Sequence, residues 1–403
     1  MDVMKTGSWA SILGIYLFGV CGASTVSKII PLGGDLAHWF DLGPAHFGWL
    51  VSLIAVPAAL LAIPSGMVVD RFGPRIVLLC CALLGITANV IYSFAPTMLM
   101  LQVARLLEGT VIVHMYTAGP ALLMATTEGK RRTTAMTIWA TYMPVGTAVG
   151  LTIGGLFAET QGWRLTFACH GALYLAAGLL GLLQPDVKVR HPSAKPGLAA
   201  QILDLRAAYA RPGLLLLGLA FFLMISMGLG ANVTFPRYFS RAHDISMASA
   251  SQMVAMATLV MVPGSLFAGL VLSRGLSQQM LFTLLGVVGF VVGILSFFPH
   301  LDIPVRYMVL GGWFFASGAA IAVLLATLPV VAEPQRRGAA TALINQAGAL
   351  ATFVNPPIWL TYAEGTDWTP FAVLLGTGWS IAIAAMWLLA LNAAKNRVTA
   401  PSA

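Results

Sequence analysis

Apolar residues run along this chain in long blocks, with polar residues confined to the short intervals between them. The blocks fall at about 9–30, 46–69, 76–95, 98–126, 133–158, 164–184, 213–236, 246–272, 279–298, 304–332, 339–362 and 368–391. A helix needs roughly 20 apolar residues to cross a bilayer, so the pattern predicts an all-α membrane protein with twelve transmembrane helices. A transmembrane β-barrel would show short alternating segments instead. The one long polar interval, 185–212, carries five basic residues and reads as a cytoplasmic linker. It separates a six-helix bundle at 1–184 from a second at 213–403 with a short cytoplasmic tail.

The two halves echo each other. Glu128-x-x-Arg131-Arg132 recurs as Glu333-x-x-Arg336-Arg337, and Lys28-Ile29-Ile30-Pro31 is matched by Val233-Thr234-Phe235-Pro236, both 205 positions on. A shared offset at two places indicates an internal duplication, and the predicted architecture is two pseudo-symmetric six-helix bundles.

Composition agrees with residence in lipid: 58% of residues are hydrophobic and 9% charged, against roughly 25% charged in a soluble domain. The formal charge of +8 would suit nucleic acid, but the basic residues gather in intervals that share one side of the membrane. That is the positive-inside pattern, which puts both termini in the cytoplasm of an inner membrane and excludes nucleic acid as a partner. Cys21, Cys80, Cys81 and Cys169 lie in apolar runs without metal-ligand spacing, so no metal or cofactor is expected. Met1 to Val20 begins like a signal peptide, but the apolar run continues to Ile30, and an uncleaved first helix is expected. No phosphate-binding loop of the Walker type is present, and no nucleophile-base pair suggests an enzyme. Ion gradients would drive any transport.

Between the second and third blocks the chain reads Gly66-Met67-Val68-Val69-Asp70-Arg71-Phe72-Gly73-Pro74-Arg75. This stretch resembles the signature loop of the major facilitator superfamily, Gly-x-x-x-Asp-Arg-x-Gly-x-Arg, at every fixed position. The echo in the second half, Gly269-x-x-x-Ser273-Arg274, lacks the aspartate. The resemblance implies alternating access about a central site, with solute and protons as partners and a monomer as the working unit. It also implies a cytoplasmic latch in which Gly66, Asp70, Arg71, Gly73, Arg75, Glu128, Glu333 and Arg336 take part. There Asp70 would meet the start of the eleventh helix, and Arg75 would pair with Glu128.

In the fourth block, Arg105-x-x-Glu108-Gly109 resembles the family's second motif, whose buried arginine is tied to proton coupling. Arg105 and Glu108 lie i,i+3 on one helix face, and an ionisable pair inside a membrane is costly to bury. Glu108 is therefore the candidate proton carrier, with Arg105 and His114 beside it; His170 is a further in-membrane histidine. Lys28 points either to the headgroups or into the cavity, where it would hold an anion. With Lys28 and Arg105, Arg237, Arg241 and Arg306 at external helix ends would give an anion-attracting vestibule. Candidate solute contacts are Lys28, Arg105, His114, Tyr116, Trp139, Tyr142, Asn232, Trp313, Asn345 and Asn355.

Pro144-Val145-Gly146-x-x-x-Gly150-Leu151-x-x-Gly154-Gly155 resembles the glycine motif of superfamily exporters, with Leu151 where that motif has proline. A looser likeness, through Arg105 to Gly109, Gly119-Pro120-Ala121-Leu122, Trp139 and Pro144 to Gly146, is to the cyanate and nitroimidazole permease-like branch. The sequence thus points to a proton-coupled transporter of a small polar, anionic organic solute. The alternatives are a drug or metabolite efflux antiporter and, from another class, a membrane sensor of this fold that moves no solute.

Overall fold

The structure is a computed structural model that describes residues 5–160, 162–187, 203, 206–333, 337–363 and 367–398. Every regular element among the described residues is a helix. In chain order these are α1 (Trp9–Ser27), α2 (Gly33–Phe40), α3 (Pro44–Ser52), α4 (Ala55–Phe72), α5 (Pro74–Phe94), α6 (Met98–Thr126), α7 (Gly129–Trp139), α8 (Tyr142–Phe157) and α9 (Trp163–Leu182). There follow α10 (Pro212–His243), α11 (Met247–Leu259), α12 (Met261–Ser273), α13 (Gln278–Leu295), α14 (Ile303–Val331), α15 (Arg337–Tyr362) and α16 (Thr369–Val398).

Three expected spans are each split in two, and proline explains all three. A proline ring clashes with the carbonyl four residues back and cannot donate to it. The break after α3 precedes Pro57, that after α7 precedes Pro144, and that between α11 and α12 precedes Pro263, each by about one turn. The first span is shorter than the pattern suggests, ending at Ser27 with Lys28 as its C-cap residue. Among the described residues, eleven spans are long and apolar enough to cross a membrane. The twelfth expected span is the helix α15, whose 26 residues give the length, but whose Asn, Gln, Thr and paired prolines keep it out of that apolar set.

By backbone contacts the chain forms two compact units. The first comprises Met1–Ala194 with Asn232–Thr258 and Pro356–Glu364; the second comprises Lys195–Ala231, Leu259–Asn355 and Gly365–Ala403. In the first unit α1 packs along α8, and α5 lies between α6 and α9. Its buried core runs through Ile12, Ile15, Phe18, Cys21, Leu78, Met115, Leu122 and Tyr174. The α1–α8 seam depends on small residues: a methyl group on Gly150 or Gly154 would run into the backbone of Ser24 or Lys28. This close approach holds the end of α1 against the bundle, and with it Lys28. In the second unit α14 packs on α12 and α13, and α13 on α16.

Candidate functional site

Inside the first unit, four helices bring a set of ionic and polar side chains together with no exposed surface on Lys28, Arg105 or Glu108. Arg105 and Glu108 share a face of α6, so Arg105 Nη1 donates to Glu108 Oε2 at 3.0 Å. The same oxygen accepts from Tyr92 on α5 at 2.9 Å. The other oxygen, Oε1, is faced by Lys28 Nζ at 2.6 Å; it takes no aligned hydrogen bond, so charge is what holds this side of the carboxylate.

Arg105 also acts on the backbone. Its Nη1 donates to Thr25 O at 2.8 Å, and its Nη2 to Val26 O and Val51 O at 3.2 Å each. The first two carbonyls belong to the last turn of α1, where no intrahelical donor exists for them, and the third lies beside the α3–α4 break. One guanidinium therefore closes two helix ends and neutralises a carboxylate.

Lys28 Nζ has three acceptors around it: Glu108 Oε1, Asn89 Oδ1 at 2.5 Å and His170 Nδ1 at 2.8 Å. It also lies 5.2 Å and 5.0 Å from the ring centres of Tyr92 and Phe167, which stack on each other at 4.2 Å; such contacts favour a cation. Asn89 is oriented by its amide, which donates to Gly85 O at 2.7 Å and so turns Oδ1 toward the lysine. On the far side of the imidazole, His170 Nε2 meets Ser24 Oγ at 2.8 Å. Two cations against one carboxylate leave the cluster with one net positive charge.

The structure distributes the other expected residues in several ways. Lys28 points neither to headgroups nor to open space, because the end of α1 is pulled into the bundle by Arg105 and by the glycine seam. His114 is half-buried and bonded to Thr110 O of its own helix at 2.8 Å, apart from the cluster. Tyr116, Trp139 and Tyr142 do come together, with ring centres 4.7 Å and 4.9 Å apart along the chain of three. They rest on Gly19 and Gly22 of α1. The Tyr116 hydroxyl is buried without a hydrogen-bond partner.

Trp313 is fully buried against Gly293 and Phe314. Asn232 accepts from Thr258, and Asn355 donates to Ser226 and Ala351 O, each tying a helix to a neighbour or to itself. Asn345 is exposed. Arg306, expected in a charged vestibule, is fully buried and donates to the carbonyls of Ser296, Phe298 and Leu301, stapling the turn before α14. Arg241 donates to Ala363 O.

In the signature loop, Gly66 lies in the last turns of α4 with Asp70 and Arg71, and Gly73 has φ +84°, a conformation that suits glycine in the sharp reversal into α5. Arg75 does not pair with Glu128. Its Nη2 donates to Leu182 O at 2.6 Å and its Nε to Gly181 O, capping the end of α9. Glu128 is exposed and makes no ion pair among the described residues. Glu333 pairs with Arg211 at the surface. Arg336 lies outside the described residues.

Tyr92, Phe167 and Ser24 were not singled out from the sequence. Asn89 and Tyr92 are spaced i,i+3 and could have been read as one polar face of α5; Phe167 and Ser24 carry no such local signal.

The profile described as Major Facilitator Superfamily matches residues 12–356. The chain is similar to "Multidrug resistance protein 1" of Bacillus subtilis (strain 168), 24% identical over 49% of this chain and 46% of that one. It is also similar to "Multidrug resistance protein Stp" of Mycobacterium tuberculosis (strain CDC 1551 / Oshkosh), 27% identical over 41% of this chain and 31% of that one. The matched stretches thus span less than half the length of these two relatives. A longer match, 24% identical over 84% of this chain and 85% of the relative, is to "Uncharacterized MFS-type transporter YceJ" of Bacillus subtilis (strain 168). In three dimensions it resembles a bacterial homolog of the human lysosomal transporter Spinster, inward-facing and unoccupied, with TM-score 0.74 and 17% identity, over 97% of this chain and 96% of that one.

Proposed function

Since the chain belongs to the Major Facilitator Superfamily, we propose that it is a proton-coupled secondary transporter that carries a small polar organic anion by alternating access. It would act as a monomer in an inner membrane, with both termini cytoplasmic. The observation that carries the coupling is the sealed Lys28–Glu108–Arg105 cluster: ionic groups are expensive inside a membrane and are kept there for ion or solute handling. The net positive charge of the cluster supports an anionic solute. The turn at Gly66 to Arg75 supplies the gate, with Asp70 as the residue whose contacts form and release between states.

A second reading, efflux of amphipathic compounds, is favoured by the aromatic wall of Tyr116, Trp139 and Tyr142 and by the names of two of the relatives. The two readings separate in a thermal-shift panel of purified protein with benzoate, lactate, glutamate and tetraphenylphosphonium, because a solute bound by the folded state alone raises the melting temperature. Stabilisation by the acids, followed by their proton-gradient-driven uptake into proteoliposomes, is the expected result. Stabilisation by the cation alone would favour efflux, and no gradient-driven flux of any of them would count against transport of these classes.

A further inference from the structure

We infer that the proton exchanged in this cluster is carried by Lys28, with His170 changing tautomer in step, while Arg105 and Glu108 form a pair that stays charged throughout. The inference rests on the proton-coupled reading above and names the group behind it.

The hydrogen-bond count assigns the protons. Ser24 Oγ donates to Cys21 O at 2.9 Å, so toward His170 Nε2 it can only accept. His170 therefore carries its proton on Nε2, and its Nδ1 offers a lone pair to Lys28. This agrees with the other end of the network, where the Lys28 ammonium donates to Asn89 Oδ1 and His170 Nδ1 and faces the Glu108 carboxylate as a charge. The 3.2 Å approach of His170 Nδ1 to Asn89 Oδ1 is then two acceptors facing the same ammonium.

Removing one proton gives a second complete arrangement. The Nζ–H bond toward His170 breaks as its proton passes to Nδ1, and the Nε2–H bond on the far side of the ring breaks as that proton passes to a water molecule; the resulting amine keeps one hydrogen for Asn89 Oδ1 and one on the Glu108 side. His170 is left with its proton on Nδ1, which donates to the lone pair of the amine. Nε2 then accepts from Ser24, whose hydroxyl turns away from Cys21 O. That carbonyl is not orphaned, because Thr25 Oγ1 also donates to it at 2.8 Å. Both arrangements leave the Lys28, Asn89, His170 and Ser24 groups paired, and they differ by one proton.

Adding a proton to Glu108 has no such solution. A hydrogen on Oε1 would point at an ammonium with no acceptor to give, and Oε2 is already taken by Tyr92 and Arg105. The cluster would also rise to two net charges in a buried site, whereas deprotonation of Lys28 lowers it from one to none. Arg105 cannot lose a proton in a protein.

The groups facing Lys28 are consistent with a single site of exchange. They are Glu108 and Arg105 from α6, Tyr92 and Asn89 from α5, His170 from α9, and Cys21 on its own helix; Gly150 and Gly154 of α8 approach its backbone. Loss of the ammonium weakens the attachment of α1 to α5, α6 and α9 at once, which links proton release to movement of α1.

The test uses the full chain in lipid nanodiscs, labelled with 15N at lysine Nζ and histidine ring positions and with 13C at glutamate Cδ, titrated from about pH 5 to about pH 10, below the ordinary lysine value. Expected is one lysine resonance, absent from Lys28→Met, that passes from ammonium to amine. At the same midpoint one histidine, absent from His170→Asn, exchanges its protonated nitrogen while remaining neutral. Should Lys28→Met fail to fold, the His170→Asn spectrum still assigns the coupled pair, and the lysine must then lose its partner's response. The inference is overturned if Lys28 stays an ammonium across the range, or if the resonance absent from Glu108→Gln titrates instead. Proton flux in proteoliposomes is scored separately: a titrating Lys28 with no coupled flux defeats only the transport reading, and coupled flux with a silent Lys28 defeats only this one.

Discussion

Arg105 couples charge to backbone, because its two terminal nitrogens serve three main-chain carbonyls as well as Glu108. Lysine keeps the charge but not the planar fork, so Arg105→Lys is expected to leave at least one buried carbonyl unpaired and to cost about 1–3 kcal/mol, read as a lower unfolding midpoint in detergent. Glu108→Gln keeps the shape and leaves two buried cations without a counter-charge. Breaking a buried pair from one side costs about 3–5 kcal/mol, and the same variant should lose proton-driven uptake; unchanged uptake with unchanged stability would remove Glu108 from the site. Part of this was readable in advance. The i,i+3 spacing of Arg105 and Glu108 is a property of α6 alone, whereas nothing local to Lys28 distinguishes a headgroup contact from a sealed ion pair 80 positions away.

Elements are shaped here by where small residues and prolines fall. The seam between α1 and α8 admits no side chain at Gly150 or Gly154, and overpacking of this kind costs about 1–3 kcal/mol. Gly154→Ala is thus expected to lower the melting temperature and to perturb the Lys28 cluster, whose backbone it would strike; Gly66→Ala, with open space around it, should do neither. At the turn between α4 and α5, Arg75 caps α9 and does not reach Glu128, so a double-mutant cycle of Arg75→Gln and Glu128→Gln should be additive within about 0.3–0.5 kcal/mol. A larger coupling would restore the latch pairing expected from the family pattern. The three split spans were implicit in the sequence, since each break falls about one turn before a proline, but a hydropathy pattern averages over a turn and conceals them.

For the whole molecule, the reading of the basic intervals predicts that the 185–212 segment faces the cytoplasm. A cysteine introduced at Asp186 in a background lacking the four native cysteines should react with a membrane-impermeant reagent only from the cytoplasmic side; labelling from outside would invert the topology. Asp70→Asn is expected to abolish transport with normal expression, and ordinary cycling by that variant would leave the turn a structural reversal and nothing more.

Repeated apolar blocks, the shared offset of the two halves, the signature turn and the proline positions are all properties of neighbours in the chain, and from these the sequence alone determined a duplicated helical membrane protein of this superfamily. Which ionic groups meet was decided only by the tertiary structure, because Lys28, Asn89, Glu108 and His170 stand on four different helices and no spacing relates them. The physical reason is that a helix periodicity specifies which face is apolar, while the partner of a buried charge depends on which faces are pressed together and how closely their backbones approach.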